Sequence, residues 1–254
     1  MPLTVHQFPV LADNYAFLIR DEATGLAACI DTPDGTAILR ELDKLGWKLA
    51  LILNTHWHPD HAGGNAEIQK ATGAVVVGPA EVERIAPVDR KVASGDKVAL
   101  GDTTFEVIDV GGHTLGHIAY HDAADQIAFV GDALFTLGCG RMFEGAPDQM
   151  WASLQRLAAL PDATTVYCAH EYTAANARFA LSVDPDPALR ARAEAVFALR
   201  EKGQPTVPTT IGLEKATNPF LRAPRIAPGL GVAADAPAYE AFAAVRSAKD
   251  NFKG

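Results

Sequence analysis

The stretch Asn54-Thr55-His56-Trp57-His58-Pro59-Asp60-His61 (NTHWHPDH) contains three of the eight histidines of this 254-residue chain within six residues. It follows an apolar run at residues 49–53 that is typical of a buried strand. The stretch therefore occupies the loop at the C-terminal end of that strand. In open α/β sheets this is the usual place for a functional site, so the pattern predicts both a buried strand and a site beside it.

The segments around this stretch predict a mixed fold. Apolar runs at residues 15–19 and 27–30 predict further strands, and residues 36–45, closed by Gly46, predict a helix. Residues 97–100 with 103–110, and 118–120 with 126–130, predict two hairpins. Strands joined partly by helices and partly by hairpins indicate an α/β (α+β) fold whose sheets are covered by helices.

The C-terminal third of the chain has a different character. The last strand-like run lies at residues 164–168, and helical patterns at residues 174–181 and 188–202 follow it, separated by proline-bearing breaks. This change predicts a boundary near residue 171 with a small helical domain behind it.

Composition and charge narrow the function classes. The chain is 48% hydrophobic and 21% charged, which is typical of a folded globular protein. A net charge of −9 disfavours binding to nucleic acid or to an anionic membrane. Residues 1–17 lack the pattern of a signal peptide, and three cysteines without framework spacing suit reduced thiols. We therefore expect a cytoplasmic protein with neither nucleic acid nor membrane as a partner.

The histidine-rich stretch has the spacing of metal ligands. While the backbone stays extended, His56 and His58 project to the same side and can hold one ion. Pro59 then turns the chain, so that Asp60 and His61, leading into a predicted helix at residues 62–72, can point to a different place. One loop can thus supply two neighbouring ions.

Other strand ends carry the same types of residue. His113 follows the strand at residues 105–110 and two glycines, Asp132 follows the run at 127–131, and His170 follows the run at 166–169. We assign His56, His58 and His113 to a first ion, Asp60, His61 and His170 to a second ion, and Asp132 to both. Two ions sharing a water lower its pKa from about 15.7 toward ~7. The seven donors therefore predict a metal-dependent hydrolase.

Four other polar residues lie outside this ligand set. Two of them have alternative interpretations, and two are interpreted as structural. His117 either orients the site or is a buried, hydrogen-bonded histidine, and Asp31 either accepts an N–H from a ligand imidazole or forms a turn. His6 and His121 are interpreted as structural.

The His56-Trp57-His58-Pro59-Asp60-His61 run with His113, Asp132 and His170 resembles the metallo-β-lactamase superfamily. That resemblance implies an αββα sandwich with a dinuclear site at one edge. Further segments resemble the hydroxyacylglutathione hydrolase (glyoxalase II) family: Asp13-Asn14-Tyr15, Gly138-Cys139-Gly140-Arg141, His170-Glu171-Tyr172-Thr173, Asn218-Pro219-Phe220-Leu221-Arg222 and Lys249-Asp250. The implied organisation is a catalytic domain at residues 1–170 and a C-terminal helical substrate-binding domain at residues 171–254.

The resemblance also implies an activity. Members of this family hydrolyse S-D-lactoylglutathione, an S-2-hydroxyacylglutathione, to glutathione and D-lactate. The expected cofactors are two divalent metal ions that share a hydroxide, zinc foremost, with iron and manganese as alternatives. In the hypothesis Asp60 takes up the proton of this hydroxide as it attacks. The expected protein is a monomer whose partner is the small glutathione thioester.

The residues that the resemblance assigns to glutathione binding are Arg141, Phe143, Tyr172, Arg246 and Lys249. Two of them depart from the common pattern of the family. Arg141 stands where many members have lysine, which keeps the charge and changes the geometry. Phe143 stands where many members have tyrosine, which removes one hydroxyl group that could bond the substrate.

Three other functions compete with thioester hydrolysis. An iron-dependent glutathione persulfide dioxygenase shares the His-x-His-x-Asp-His run and is disfavoured by the additional helical domain. A β-lactamase is disfavoured because no cysteine takes the metal position of Asp132. An inactive metal-binding paralogue is disfavoured by the seven intact ligands, because a binding module would need neither two ions nor an open coordination position.

Overall fold

The computed structural model describes residues 3–254; residues 1 and 2, which fall in the predicted domain 1–170, lie outside the described residues. The described chain forms two compact units. The first consists of residues 3–109 with 116–131, and the second of residues 110–115 with 132–254.

The first unit contains two sets of strands. Its strands are β1 Leu3–Val10, β2 Asn14–Asp21, β3 Ala27–Ile30, β4 Leu49–Leu53, β5 Val75–Gly78, β6 Arg90–Lys91, β7 Lys97–Leu100, β8 Thr103–Asp109, β9 Ile118–Asp122 and β10 Ile127–Gly131, and its helices are α1 Gly35–Leu45, α2 Pro59–Ala62, α3 Asn65–Thr72 and a 3₁₀ helix at Ala80–Arg84. Strands β1 to β6 form one sheet in sequence order, antiparallel from β1 to β3 and parallel from β3 to β6. Strands β7 to β10 form an antiparallel meander, so both predicted hairpins are confirmed.

Helices cover one face of the first sheet and strands cover the other. Ile38 and Leu42 of α1 and Ile68 of α3 pack in one cluster with apolar side chains of the sheet. On the opposite face, the rings of Phe17 in β2 and Phe129 in β10 lie 5.7 Å apart. This burial of apolar side chains on both faces holds the layers together.

The helix predicted over residues 62–72 is wrong in its extent. The structure has α2 and α3 in its place, and the break falls at Gly63 and Gly64. The Gly64 N–H donates to the carbonyl of Thr32 at 2.9 Å, and a Cβ at Gly64 would collide with that oxygen. Asp60 and His61 consequently lie inside α2, in its single turn, instead of before a longer helix.

The second unit is mostly helical. Its helices are α4 Pro147–Ala158, α5 Thr173–Val183, α6 Pro187–Glu201, α7 Ile211–Thr217, α8 Ala223–Ile226, a 3₁₀ helix at Ala227–Leu230 and α9 Ala238–Asp250, and its strands are β11 Leu134–Phe135, β12 Gly138–Cys139, β13 Thr165–Cys168 and β14 Thr209–Thr210. Helices α5 and α6, both predicted from the sequence, pack through small and apolar side chains such as Ala180 and Leu189. No helix among residues 3–254 combines the length and the apolar character needed to cross a membrane.

A buried carboxylate connects the helices of the second unit to the turn between β11 and β12. Glu214 of α7 is fully buried and accepts hydrogen bonds from Arg192, from the Thr209 hydroxyl at 2.6 Å and from the Leu137 N–H at 2.9 Å. Asn218 donates to the same carboxylate at 2.9 Å and to the carbonyl of Gly138. Because a buried charge must be compensated, this network fixes the β11–β12 turn.

Candidate metal centre

In the first unit, the ends of two neighbouring parallel strands carry polar residues. Strands β3 and β4 pair so that Ile30 lies opposite Leu53, and Asp31 therefore follows β3 beside the loop that follows β4. The Asp31 carboxylate accepts hydrogen bonds from the N–H of Thr55 at 2.7 Å and from its hydroxyl at 2.8 Å.

Asp31 also orients a predicted metal ligand. Its Oδ2 lies 2.8 Å from Nδ1 of His61, and the His61 side chain is almost fully buried. A carboxylate at Nδ1 fixes the proton on that nitrogen and directs the lone pair of Nε2 to a ligand. Of the two interpretations of Asp31, acceptor and turn former, the acceptor role is the one the structure supports.

Asp60 is held next to His61. Its Oδ2 lies 3.6 Å from Nε2 of His61 and accepts a hydrogen bond from the Asn14 side-chain amide at 3.1 Å. Asp60 lies in the first turn of α2, where the positive end of a helix favours a carboxylate. The pair Asp60 and His61 therefore presents one oxygen and one imidazole nitrogen side by side.

The histidine pair before Pro59 forms a second group of donors. Nε2 of His56 and Nδ1 of His58 lie 3.0 Å apart, close enough to bind the same ion. The Thr55 hydroxyl lies 3.0 Å from Nδ1 of His56, and the buried ring of His117 stacks on His56 with centroids 4.5 Å apart. We call Asp31, Thr55, His56, His58 and His61 the imidazole cluster.

In the second unit, Asp132 lies between two imidazoles. Its Oδ2 is 3.4 Å from Nε2 of His113, and its Oδ1 is 3.3 Å from Nε2 of His170. The other ring nitrogen of His113, Nδ1, lies 2.8 Å from the carbonyl of Arg141. Because a carbonyl can only accept, this contact places the proton on Nδ1 and leaves the lone pair on Nε2, which can bind an ion. One carboxylate that turns one oxygen to each imidazole has the arrangement of a bridging ligand.

The glycine before His113 has a structural reason. Gly112 has a φ of 143°, a region that side-chain-bearing residues rarely adopt, and a Cβ there would collide with Met150 of α4. The sequence predicts that paired glycines allow close approach to an ion; in the structure, Gly112 allows close approach to a helix.

All seven predicted metal ligands belong to groups of histidine and aspartate side chains that could hold a metal ion. Four of them, His56, His58, Asp60 and His61, lie in the first unit, and His113, Asp132 and His170 lie in the second. Imidazole and carboxylate are donors for divalent zinc, iron and manganese. The chemistry of the set fits such ions, and five of its seven members are buried.

Two of the predicted substrate residues are aromatic and lie beside ligands in the second unit. Phe143 is 62% exposed, and its ring meets that of His113 at 5.2 Å. Tyr172 is 38% exposed and stacks in parallel on His170 at 4.8 Å. Phe135, which sequence reasoning missed, packs its edge against the rings of both His170 and Tyr172.

The three predicted substrate cations differ in exposure. Arg141 is exposed, whereas Arg246 is only 4% exposed, because its guanidinium donates to the Cys139 carbonyl at 3.1 Å and to Asp250 at 2.8 Å. Lys249 is half-buried and donates to the Ala175 carbonyl at 2.9 Å. The charged residues of this region, Arg141, Arg178, Arg246, Lys249 and Asp250, are called the cation cluster.

Burial and neighbouring charge act together on Lys249. Burial is the largest cause that lowers its pKa, to about 8, and the positive charges of Arg246, Arg141 and Arg178 lower it further. Asp250 raises it. Sequence reasoning identified the Lys249-Asp250 pair as a motif but missed the function of Asp250, although its i,i+4 spacing from Arg246 was a usable signal.

The chain has close relatives among known proteins. A family model described as Metallo-beta-lactamase superfamily matches residues 14–170, and one described as Hydroxyacylglutathione hydrolase C-terminus matches residues 171–252. The hydroxyacylglutathione hydrolase of Erythrobacter litoralis is 57% identical over 98% of this chain and 100% of its own length. That of Maricaulis maris is 55% identical over 98% and 99%.

A solved structure has a similar fold. ETHE1 from Myxococcus xanthus has a TM-score of 0.71 and 29% sequence identity, over 98% of this chain and 92% of that chain. The predicted α/β fold of the metallo-β-lactamase type with a C-terminal helical domain is therefore confirmed. On the family matches and on full-length identity above 50%, the chain belongs to the hydroxyacylglutathione hydrolase family of the metallo-β-lactamase superfamily.

Proposed function

We propose that the chain hydrolyses S-2-hydroxyacylglutathione thioesters, with S-D-lactoylglutathione giving glutathione and D-lactate. The names of the relatives support this activity. The observation that carries it is the Asp132 carboxylate, which turns one oxygen to His113 and the other to His170. A bridging carboxylate of this kind suits a hydrolase that activates water between two ions.

The proposed ligands are His56, His58 and His113 for a first ion, Asp60, His61 and His170 for a second ion, and Asp132 for both. We propose two divalent ions for each chain, zinc foremost, with iron and manganese as alternatives. When bound, such ions supply a hydroxide at neutral pH and stabilise the negative charge on the attacked carbonyl oxygen.

The chain's own residues orient these donors and move the proton. Asp31 holds the ring of His61, and the amide of Asn14 holds Asp60. We propose that Asp60 takes up the proton of the hydroxide as it attacks the thioester carbonyl. The leaving group is a thiol with a pKa near ~8.5, which departs as a thiolate without a dedicated general acid.

The proposed contacts to the glutathione moiety are Arg141, Phe143, Tyr172, Arg246 and Lys249. Phe143 and Tyr172 offer exposed aromatic surface next to His113 and His170. Because Phe143 lacks a hydroxyl, its contribution is apolar contact. Arg246 has little exposed surface, so it contributes charge and holds the Cys139 carbonyl in place.

Further proposals concern organisation and location. We propose that residues 171–254 form the substrate-binding domain and residues 1–170 the catalytic domain. We also propose that the protein is cytoplasmic and monomeric, and light scattering of the purified chain tests its oligomeric state.

The activity is tested by metal analysis and turnover of the wild type and of His58→Ala. We expect the wild type to bind two ions and to cleave S-D-lactoylglutathione in preference to a thioester without glutathione. Loss of the His58 imidazole should remove bound metal and lower turnover by more than about 100-fold. His6→Ala is the matched control, because His6 lies on β1, where it pairs with Glu41 at 3.4 Å.

Two results would contradict the proposal. One is a His58→Ala variant with metal content and thioester turnover near those of the wild type. The other is oxygen consumption with glutathione persulfide in place of thioester cleavage, which would identify the dioxygenase alternative.

A further inference from the structure

Helices α5 and α9 bring positive charge together at one place in the second unit. The Lys249 ammonium donates to the Ala175 carbonyl of α5 at 2.9 Å and lies 5.4 Å from the ring centroid of Phe179. Lys249 is thereby fixed against the stretch of α5 between Ala175 and Phe179. The side chain that shares this stretch and faces water is that of Arg178.

Helix geometry places Arg178 beside this contact. Residues three apart on a helix are neighbours on its surface, so Arg178 lies one turn from Ala175, whose carbonyl accepts the Lys249 ammonium. Arg178 is directly followed by Phe179, over which Lys249 lies. The positive charge of Arg178, together with those of Arg246 and Arg141, lowers the pKa of Lys249.

The cation cluster has an excess of positive charge. It contains four cationic side chains and one carboxylate, that of Asp250. This carboxylate already accepts a hydrogen bond from Arg246 at 2.8 Å. Neighbouring like charges repel one another, so this gathering is unfavourable in the absence of a ligand, and it stands out in a chain whose net charge is −9. Such a concentration of cations is typical of a site that binds an anion.

The cations differ in what they can offer to a ligand. The guanidinium of Arg246 is buried and bonded to Cys139 and Asp250. Arg178 is exposed on α5, so the donors of its guanidinium can turn to a ligand. A guanidinium can bind a carboxylate through two parallel hydrogen bonds, which an ammonium cannot.

We propose that Arg178 is a further substrate-binding residue, which pairs with a carboxylate of the glutathione moiety beside Lys249. The inference rests on the proposed thioester hydrolysis and extends it by one recognition residue. Arg178 is not among the proposed metal ligands, so its contribution is to binding and selectivity for an anionic peptide thioester over a neutral one.

The test compares Arg178→Ala, Arg178→Glu and Arg178→Lys with the wild type. We expect KM for S-D-lactoylglutathione to rise about threefold to tenfold in Arg178→Ala, more in Arg178→Glu and less in Arg178→Lys, with kcat within twofold. Arg190→Glu, which makes the same charge change at an exposed arginine of α6, is the matched control and should leave KM within twofold.

Two further readouts separate recognition from a structural role. If the charge of Lys249 contributes to substrate binding, KM increases as Lys249 loses its proton at alkaline pH. Loss of the Arg178 charge should raise the pKa of Lys249, so this increase in KM should occur at higher pH in Arg178→Ala. Arg246, Arg141 and Asp250 still act on Lys249 in this variant, so the shift is partial. With the glycyl ethyl ester of S-D-lactoylglutathione, the KM ratio of variant to wild type should shrink if the glycyl carboxylate is the partner, and persist if the γ-glutamyl carboxylate is.

Calorimetric titration with S-methylglutathione, which binds without turnover, keeps the two proposals distinguishable. If the wild type cleaves the thioester and Arg178→Glu binds S-methylglutathione as tightly as Arg190→Glu does, the assignment of Arg178 is wrong and the hydrolase stands. If the wild type binds S-methylglutathione more tightly than Arg178→Glu but cleaves no thioester, Arg178 stands and the hydrolase is wrong.

Discussion

The imidazole cluster, proposed to bind metal ions, and the cation cluster, proposed to bind substrate, are built from different side chains. In the imidazole cluster, His56 and His61 are almost fully buried, and Asp31 and Thr55 hold the rings through hydrogen bonds of 2.8 to 3.0 Å. In the cation cluster, long side chains reach from α5, α9 and the segment after β12, and Arg141 is mostly exposed.

This difference indicates how each cluster tolerates change. Donors for a metal ion must stand within a few tenths of an ångström of their position, which buried and doubly bonded rings achieve. Flexible cationic side chains can adjust to the position of a carboxylate on a flexible peptide, because Coulomb attraction acts over a longer range than metal–ligand bonds. Damage to the imidazole cluster should therefore cost metal and stability, whereas damage to the cation cluster should cost substrate affinity.

Asp31→Ala disrupts the imidazole cluster without removing a proposed metal ligand. The change leaves the N–H and hydroxyl of Thr55 and Nδ1 of His61 without their buried acceptor, and it places alanine at a φ of 56°. We expect metal affinity to fall about 10-fold to 100-fold and the melting temperature to fall as well. Chelator competition and thermal unfolding measure the two effects.

Two variants control this experiment. Asp31→Asn tolerates the positive φ and keeps one acceptor oxygen, so it should lose less metal affinity than Asp31→Ala. Asp43→Ala removes an exposed carboxylate of α1 and should change neither quantity. An Asp31→Ala protein that folds and binds metal within twofold of the wild type would show that the ligand rings do not depend on their acceptors.

The pH dependence of KM tests the role of the cation cluster in substrate binding. Since the pKa of Lys249 is about 8, its charge disappears as the pH rises from 7 to 9. We expect KM to increase about fivefold to tenfold over this interval while bound metal stays constant. Lys249→Arg, which remains charged, should flatten the rise, and an equal rise in that variant would assign it to another group.

Folding stability should respond to Lys249 in the opposite direction. The folded state holds this proton less tightly than the unfolded state, whose lysine has a pKa near 10.5. Between pH 8 and pH 10.5 the unfolded state therefore binds more protons, and the contribution of Lys249 to the free energy of unfolding increases with pH. Half-burial of the side chain keeps this contribution small, and the Lys249→Arg variant should lack it.

The strands and the ligand spacing could be predicted because both are local in sequence. The strands Ala27–Ile30 and Leu49–Leu53 match the apolar runs residue for residue. Where local pattern and tertiary contact compete, the sequence misleads: the run from residue 62 to 72 looks like one helix, yet the N–H of Gly64 bonds to Thr32. A bond to a residue 32 positions away has no local signature.

Contacts between distant residues also determine the cation cluster. The i,i+3 spacing of Arg246 and Lys249 is compatible with one shared helix face, but it carries no information on the Cys139 carbonyl to which the buried Arg246 donates. Arg178 stands in an ordinary helical pattern, and the sequence gives no sign that Lys249 of α9 donates to the Ala175 carbonyl on the same stretch of α5. Burial of long cationic side chains depends on distant residues, so composition and period cannot show it.

Arg84 is a cation that lies beside the imidazole cluster, and its replacement should give the smallest effect on metal affinity. It is an exposed cation on the 3₁₀ helix Ala80–Arg84, and its guanidinium carbon lies 3.8 Å from the ring centroid of Trp57, the residue between His56 and His58. A cation over an indole at an exposed position contributes about 0.5–1 kcal/mol. The indole in turn meets the ring of His58 at 4.8 Å.

If the Arg84 guanidinium steadies Trp57, and Trp57 steadies His58, then Arg84→Ala should lower metal affinity by about twofold to fivefold, with Arg84→Lys in between. Arg20→Ala is the matched control, because its guanidinium lies 5.7 Å from the ring of Trp47, outside the imidazole cluster. Chelator competition on the three variants decides the point. An equal change in Arg84→Ala and Arg20→Ala would mean that the imidazole cluster is held entirely by its buried hydrogen bonds.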